Sequence, residues 1–273
     1  MVCNLELNFF QISFLAILQG LTEFLPISSS GHLLLPMELW GWQDQGLVFD
    51  VAVHTGSLIA VVYYFRLQIA ELSSAWCRSL AKGEQSDESK LAWLIIMATI
   101  PAGITGFLLN DLVEQYARSI TLVASTSIVF ALLLYLSDRT IKKGVTLADL
   151  NWKAALFIGL AQMFALLPGT SRSGVTMTAG LFVKLTRHAA AQFSFLLAIP
   201  IIAASGLLKF IEFYQLGASA SSWLILIYGA LLSGIVSYFC IHCFLQLIQR
   251  LGFLPFVIYR VLLGLLLFGI YYL

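Results

Sequence analysis

Six stretches of the chain run almost free of charge for long enough to cross a bilayer: residues 48–65, 91–109, 119–137, 191–213, 222–244 and 253–272. A span needs ~20 apolar residues. Hydrocarbon offers no water to pair exposed N–H and C=O groups, so each stretch must close its hydrogen bonds internally, as an α-helix. The chain therefore reads as an all-α, polytopic membrane protein with six full transmembrane helices. Composition agrees, because 60% of the 273 residues are hydrophobic, 11% are charged and the mean hydropathy is +0.91, too apolar for a soluble globule. Little length is left for a soluble domain, so residues 1–273 are expected to form a single membrane domain. The net charge of +1, with dispersed cations, speaks against a nucleic-acid partner. The start, M-V-C-N-L-E-L-N, lacks a basic region and a small-residue cleavage site, so no removable signal peptide is expected.

Two further apolar segments are interrupted. Residues 9–27 contain Gln19 and Glu23 and are closed by Pro26, and the run resumes only briefly at 33–39. Residues 154–167 and 174–184 flank the sequence P-G-T-S-R-S-G. Each pair is too short to cross and return, which predicts two re-entrant helical hairpins reaching about mid-bilayer, the first turning at Ser28–Gly31. A shift of 143 residues superposes Gln19 on Gln162, Ser28 on Ser171, Ser30 on Ser173 and Gly31 on Gly174. Three full spans follow each hairpin, an odd number, so the second half must insert upside down. The expectation is an inverted-topology repeat, about 9–137 and 153–273, with broken helices meeting near the midplane.

Basic residues fit that plan. With the 66–90 loop cytoplasmic, Arg66, Arg78, Lys82, Lys90, Arg139, Lys142, Lys143, Lys153, Lys184, Arg187 and Arg250 all fall on that side, eleven of the fifteen Lys and Arg. Only Arg118 and Lys209 fall opposite, which puts both termini outside. Within the 66–90 loop, Ile69, Leu72, Trp76 and Leu80 recur at helical spacing between Arg66, Glu71 and Arg78, the pattern of an amphipathic helix on the interface.

The interruptions carry chemistry that a span does not need for folding. Gln19 and Glu23 are four apart and share a helix face, so they can present two oxygens to one ligand or ion. An intramembrane carboxylate costs ~2.5–3.5 kcal/mol and should face a wet cavity and a partner. A bound Mg²⁺ or Ca²⁺ explains the residue type, since hard cations take oxygen ligands and bridge phosphates. His32 follows Ser28, Ser29 and Ser30 and reads as a general base for a serine or a water. His54, beside Thr55-Gly56-Ser57, lacks such company and reads as structural or supporting. Arg172, between Ser171 and Ser173, has a planar fork suited to phosphate, and Gly169 and Gly174 would let backbone N–H groups approach an anion at a helix N-terminus. Arg260 could be a second cation in the site or a partner for Glu23. Cys240-Ile-His242-Cys243 is half a metal motif with no second half, and reads as helix packing.

The motifs Gln19-Gly-Leu-Thr-Glu23 followed by F-L-P-I-S-S-S-G-H, and P-G-T-S-R-S-G-V-T from Pro168 to Thr176, resemble those of the bacitracin-resistance family of undecaprenyl-pyrophosphate phosphatases, and the similarity covers nearly the whole length. The resemblance implies an inner-membrane enzyme, its site toward the periplasm, that removes the terminal phosphate of undecaprenyl pyrophosphate with help from a divalent cation. It implies a metal or acid–base role for Glu23, a nucleophile at Ser29, the family's histidine at His32 and its phosphate-binding arginine at Arg172. Ser171, Ser173 and Thr176 stand in support, with Gln19, Ser28, Ser30, Gly169 and Gly174 also expected at the substrate. Gln19 occupies a position where the family takes Glu or Gln, and it cannot act as an acid or base. Expected partners are the polyprenyl pyrophosphate lipid, the bilayer and a second copy of the chain as a homodimer. The rival reading is a transporter or flippase, since inverted repeats with broken helices are the usual build of secondary transporters.

Overall fold

The computed structural model describes residues 7–109, 119–140, 144–215 and 220–272. Arg118, Lys142 and Lys143, used above, lie outside them, as do residues 1–6. The described helices are α1 (Phe9–Thr22), α2 (Ser29–Trp40), α3 (Gly46–Tyr64), α4 (Arg66–Lys82), α5 (Asp87–Leu108), α6 (Ile120–Arg139), α7 (Trp152–Gln162), α8 (Arg172–Phe182), α9 (Arg187–Gln215), α10 (Ala220–Leu251) and α11 (Leu254–Tyr272). Six of them, α3, α5, α6, α9, α10 and α11, are long and apolar enough to span. Pairs α1/α2 and α7/α8 are the two broken segments, and a 3-10 turn, Met163–Leu166, extends α7. Helix α4 fits the amphipathic expectation: Leu72 and Ala75 are buried and Ile69 and Trp76 pack on the core, while Leu80 is exposed.

One boundary differs from the sequence expectation. The first turn spans residues 23–28, and Ser29, Ser30 and Gly31 already belong to α2. Pro26 supplies no N–H and restricts the residue before it, so the chain breaks ahead of the serines. Ser28 then caps the new helix, its Oγ accepting from the Gly31 N–H at 3.4 Å.

Lipid gives no hydrophobic force between helices, so close packing and buried polar contacts hold them. Helix α3 lies against α10 so closely that a β-carbon at Gly56 would overlap the Ala230 carbonyl. In the same seam Ser233 Oγ donates to the Val53 carbonyl at 2.9 Å, and Ser237 Oγ donates to Ser57 Oγ at 2.9 Å and to the Gly20 carbonyl at 3.2 Å. Helix α1 joins there: a β-carbon at Gly20 would sit 2.7 Å from the Ser233 carbonyl oxygen. At another end of the bundle Asp138 of α6 accepts from Arg187 Nε (2.6 Å) and Nη2 (3.0 Å) of α9, a planar two-point ion pair, and from the Phe253 N–H (3.3 Å) in the turn before α11. The α3/α10 seam predicts that Gly56→Val lowers stability by about 1–3 kcal/mol, the usual cost of overpacking. Thermal unfolding in detergent checks it against Gly103→Val, where a side chain meets open space; equal melting temperatures for the two variants would contradict the seam.

Candidate active site

Both broken segments restart their helices in the same way. Ser28 and Ser171 have positive φ, 72° and 67°, which non-glycine residues adopt at a cost of ~1–3 kcal/mol. Each accepts with its Oγ from an N–H three residues on, Gly31 and Gly174. Each also pairs that oxygen with the next serine but one, Ser28 with Ser30 at 3.2 Å and Ser171 with Ser173 at 3.1 Å. The caps aim the first turns of α2 and α8, and therefore Ser29 and Arg172, inward. The Gly174 N–H is used by this cap, and so differs from the free anion donor expected from sequence. Gly169 (φ 86°) lets the second turn press against Val123 and Thr126 of α6, where a β-carbon would sit 2.5 Å from the Val123 carbonyl oxygen.

Four side chains converge on one carboxylate. Glu23, 7% exposed, accepts at Oε1 from Arg172 Nη2 (3.1 Å). At Oε2 it accepts from Gln19 Nε2 (2.9 Å) and Ser29 Oγ (2.9 Å) and meets His54 Nε2 at 3.2 Å. Arg172 is held further by its Nη1 donating to the Ser194 carbonyl at 3.2 Å. Thr176 Oγ1 donates to the Arg172 carbonyl at 2.8 Å and pairs with Ser194 Oγ at 2.7 Å. Ser173 Oγ donates to the Leu25 carbonyl at 2.8 Å, tying the second hairpin to the first turn. Glu23, Ser29, Arg172 and Gln19 thus meet as the sequence suggested.

The two histidines make contacts that the sequence did not indicate. His32 Nδ1 donates to the Ser28 carbonyl at 2.7 Å, which leaves Nε2 to accept from the Tyr259 hydroxyl at 2.6 Å, with the two rings stacked. Both nitrogens are therefore engaged away from Ser29. His54 instead has Nδ1 donating to the Asp50 carbonyl at 2.6 Å and Nε2 facing Glu23. Its signal was available in the sequence as an intramembrane histidine on the same helix face as Asp50, but nothing local marked Glu23 as its partner. Tyr259 carried no signal of this kind. Arg260 does not meet Glu23, and donates to main-chain carbonyls of both turns.

A cavity of about 510 Å³ opens beside these groups, its wall including Ser30, His54, Asp44 and Asp50 together with apolar Leu33, Leu47, Val51 and Ile202. Polar and greasy walls in one cavity suit a ligand with a charged head and an apolar tail. For a hard cation the donor set is oxygen-based but small. No group of three His, Cys, Asp or Glu side chains gathers among the described residues, Cys240–His242–Cys243 included. Glu23 stands next to Gln19 Oε1, a buried oxygen without a hydrogen-bond partner. Two protein oxygens fit the mode in which a cation takes most of its shell from phosphate and water.

The chain matches the family described as Bacitracin resistance protein BacA over residues 12–266. It is similar to Undecaprenyl-diphosphatase 1 of Pseudoalteromonas translucida, 54% identical over 258 residues that cover 94% of this chain and 97% of that protein. Similar figures hold for the Undecaprenyl-diphosphatase of Alteromonas mediterranea, at 54% with 94% and 97% covered. That of Hahella chejuensis is 52% identical over 259 residues, covering 94% and 96%.

The contact with Glu23 predicts that His54→Leu lowers turnover by about 10²-fold or more, the scale of a lost proton-transfer or orienting group, measured as initial rate on purified protein. His54→Gln, whose amide can still donate to the carboxylate, should retain several times the His54→Leu rate. Equal rates for the two variants would contradict a hydrogen-bonding role.

Proposed function

The chain belongs to the Bacitracin resistance protein BacA family, and from that membership and the geometry around Glu23 we propose that it hydrolyses undecaprenyl diphosphate to undecaprenyl phosphate and inorganic phosphate. That activity returns the lipid carrier for peptidoglycan and other envelope polymers and thereby confers the bacitracin resistance for which the family is named. The proposed setting is the bacterial inner membrane, with the two halves inverted and the site open to the periplasm. The basic residues gathered on one side support this orientation. The four side chains at the carboxylate come from the same chain as Glu23.

The observation that carries the mechanism is the hydrogen bond from Ser29 Oγ to Glu23 Oε2 at 2.9 Å. Ser29 attacks the terminal phosphorus in line with the bridging oxygen and gives its proton to Glu23, the carboxylate it already faces. The bond from phosphorus to the bridging oxygen breaks, undecaprenyl phosphate leaves, and the phosphoryl group rests on Ser29. Glu23 gives the proton it took from Ser29 to the departing undecaprenyl phosphate. A water then attacks the phosphoserine and passes a proton to the freed carboxylate. The bond from phosphorus to Ser29 Oγ breaks, and Oγ takes that proton back as inorganic phosphate departs. Arg172 and the N-terminal ends of α2 and α8 oppose the charge on the phosphates, which is most of what phosphoryl transfer asks of a protein. His54 orients the Glu23 carboxylate, and His32, tied to Tyr259, braces the first turn of α2. A divalent cation, Mg²⁺ or Ca²⁺, belongs to this proposal: Glu23 and Gln19 Oε1 would hold it, and it would supply charge neutralisation at the diphosphate.

A flippase built on this fold would need a comparable site in each half. The positions 143 residues beyond Glu23 and His54 are Leu166 and Leu197, so the carboxylate and the imidazole that meets it occur in one half only. This favours chemistry over alternating access.

Purified protein in detergent should release phosphate from a polyprenyl diphosphate, lose that activity on chelation and regain it with Mg²⁺ or Ca²⁺. Ser29→Ala should lower the rate about 10³-fold and abolish the acid-trapped phosphoserine. A rate within about threefold of wild type would shift attack to a water, and indifference to chelation would remove the cation.

A further inference from the structure

Arg260 of α11 is buried with no exposed surface, and its large cationic side chain faces no carboxylate among the described residues. A charge so placed is expensive unless its protons are all engaged. Its Nη1 donates to the Pro26 carbonyl at 3.2 Å, and its Nη2 donates to the Gly169 carbonyl at 3.0 Å and the Thr170 carbonyl at 2.8 Å, while Nε has no partner. Pro26 lies two residues before the Ser28 cap, and Gly169 and Thr170 lie immediately before the Ser171 cap. One guanidinium therefore joins the turns of both broken helices. Those turn carbonyls precede the helices they lead into and have no helical N–H to pair with, so a buried donor has to come from elsewhere.

Room for this group is built into the second hairpin. A β-carbon at Gly174 would stand 2.7 Å from Arg260 Nη1, so the glycine that sequence reading assigned to anion approach admits the guanidinium instead. The neighbouring residue Tyr259 holds His32 Nε2 at 2.6 Å. Helix α11 thus touches the first hairpin at Pro26 and His32 and the second at Gly169 and Thr170. Ser29 and Arg172 follow these anchored turns by one residue past each cap.

We propose that Arg260 is a positioning residue for phosphoryl transfer: by clamping the turn carbonyls at Pro26, Gly169 and Thr170 it fixes the spacing between Ser29 on α2 and Arg172 on α8. It touches no reacting atom. Its three acceptors are main-chain oxygens, and its geometry, a fork with two separated donors, is one that a lysine cannot reproduce. Displacing reacting groups by about 1 Å can cost about 10²-fold in rate. The expected signature is therefore a loss in kcat with KM little changed.

The inference rests on the phosphatase reading, and the two fail separately: phosphate release by wild-type protein tests the reading, while the behaviour of variants relative to wild type tests the clamp. Arg260→Met and Arg260→Lys are compared with Arg187→Met, which breaks the ion pair to Asp138 away from the site and serves as a measure of lost stability alone. Melting temperature, kcat and KM are read for each. Arg260→Met should lower kcat by about 30-fold or more with KM within about threefold, Arg260→Lys should restore less than half of that loss on a logarithmic scale, and Arg187→Met should keep kcat within about threefold even where its melting temperature falls as far. Three results would overturn the clamp: kcat for Arg260→Met within about threefold of wild type, a rise in KM with kcat retained, or kcat losses in both Arg260→Met and Arg187→Met that follow their melting temperatures alone. If Arg260→Met does not fold, Arg260→Lys is judged by the same kcat and KM criteria.

Discussion

The ion pair between Glu23 and Arg172 is the contact on which the site depends. The two residues are separated by 149 positions and come from different broken segments, yet they meet at 3.1 Å in a nearly dry environment. Neither charge is tolerable there alone: removing one partner of a buried pair strands the other, typically at about 3–5 kcal/mol. The helix breaks become intelligible in this light. A continuous span would pair every N–H and C=O within itself and leave no helix end in the bilayer. Breaking it at Pro26 and again at Pro168 puts two capped N-termini where an anion can use them.

The two halves share a backbone device and differ in chemistry. Ser28 and Ser171 take up the same strained conformation and make the same cap, so the two turns are alike in dihedral angles as well as in residue identity. Side chains then divide the work. Glu23, Ser29 and His54 all lie in the first half, while the second half contributes Arg172 and has leucine where Glu23 and His54 would correspond. A geometry often associated with transport becomes one-sided through such substitutions, with the proposed base and nucleophile on one hairpin and the proposed phosphate-binding cation on the other.

The sequence revealed the spans well, because hydropathy in a bilayer is close to a sufficient rule: all six apolar stretches recur as long helices. The residues of the site were legible wherever a polar group sat in an apolar run without local cause, as with Glu23, Ser29 and Arg172. Pairings were far less legible. His32 looked like the base because it follows three serines, but proximity along the chain is not proximity of ring nitrogens, and its helix turns Nε2 toward Tyr259, 227 residues away. His54 looked isolated because its partner is on another helix. Arg260 was ambiguous for the same reason, since main-chain carbonyls leave no trace in a side-chain pattern. Turn position was misjudged by a few residues because the serines of Ser28–Gly31 serve as a cap and a first helical turn.

The central claim is that Glu23 and Arg172 act as one unit, and a double-mutant cycle on phosphate release by Glu23→Gln and Arg172→Met tests it most directly. The account predicts strong non-additivity, with the double variant close to the rate of the worse single variant. Two losses that multiply independently would place the two groups in separate environments and contradict it.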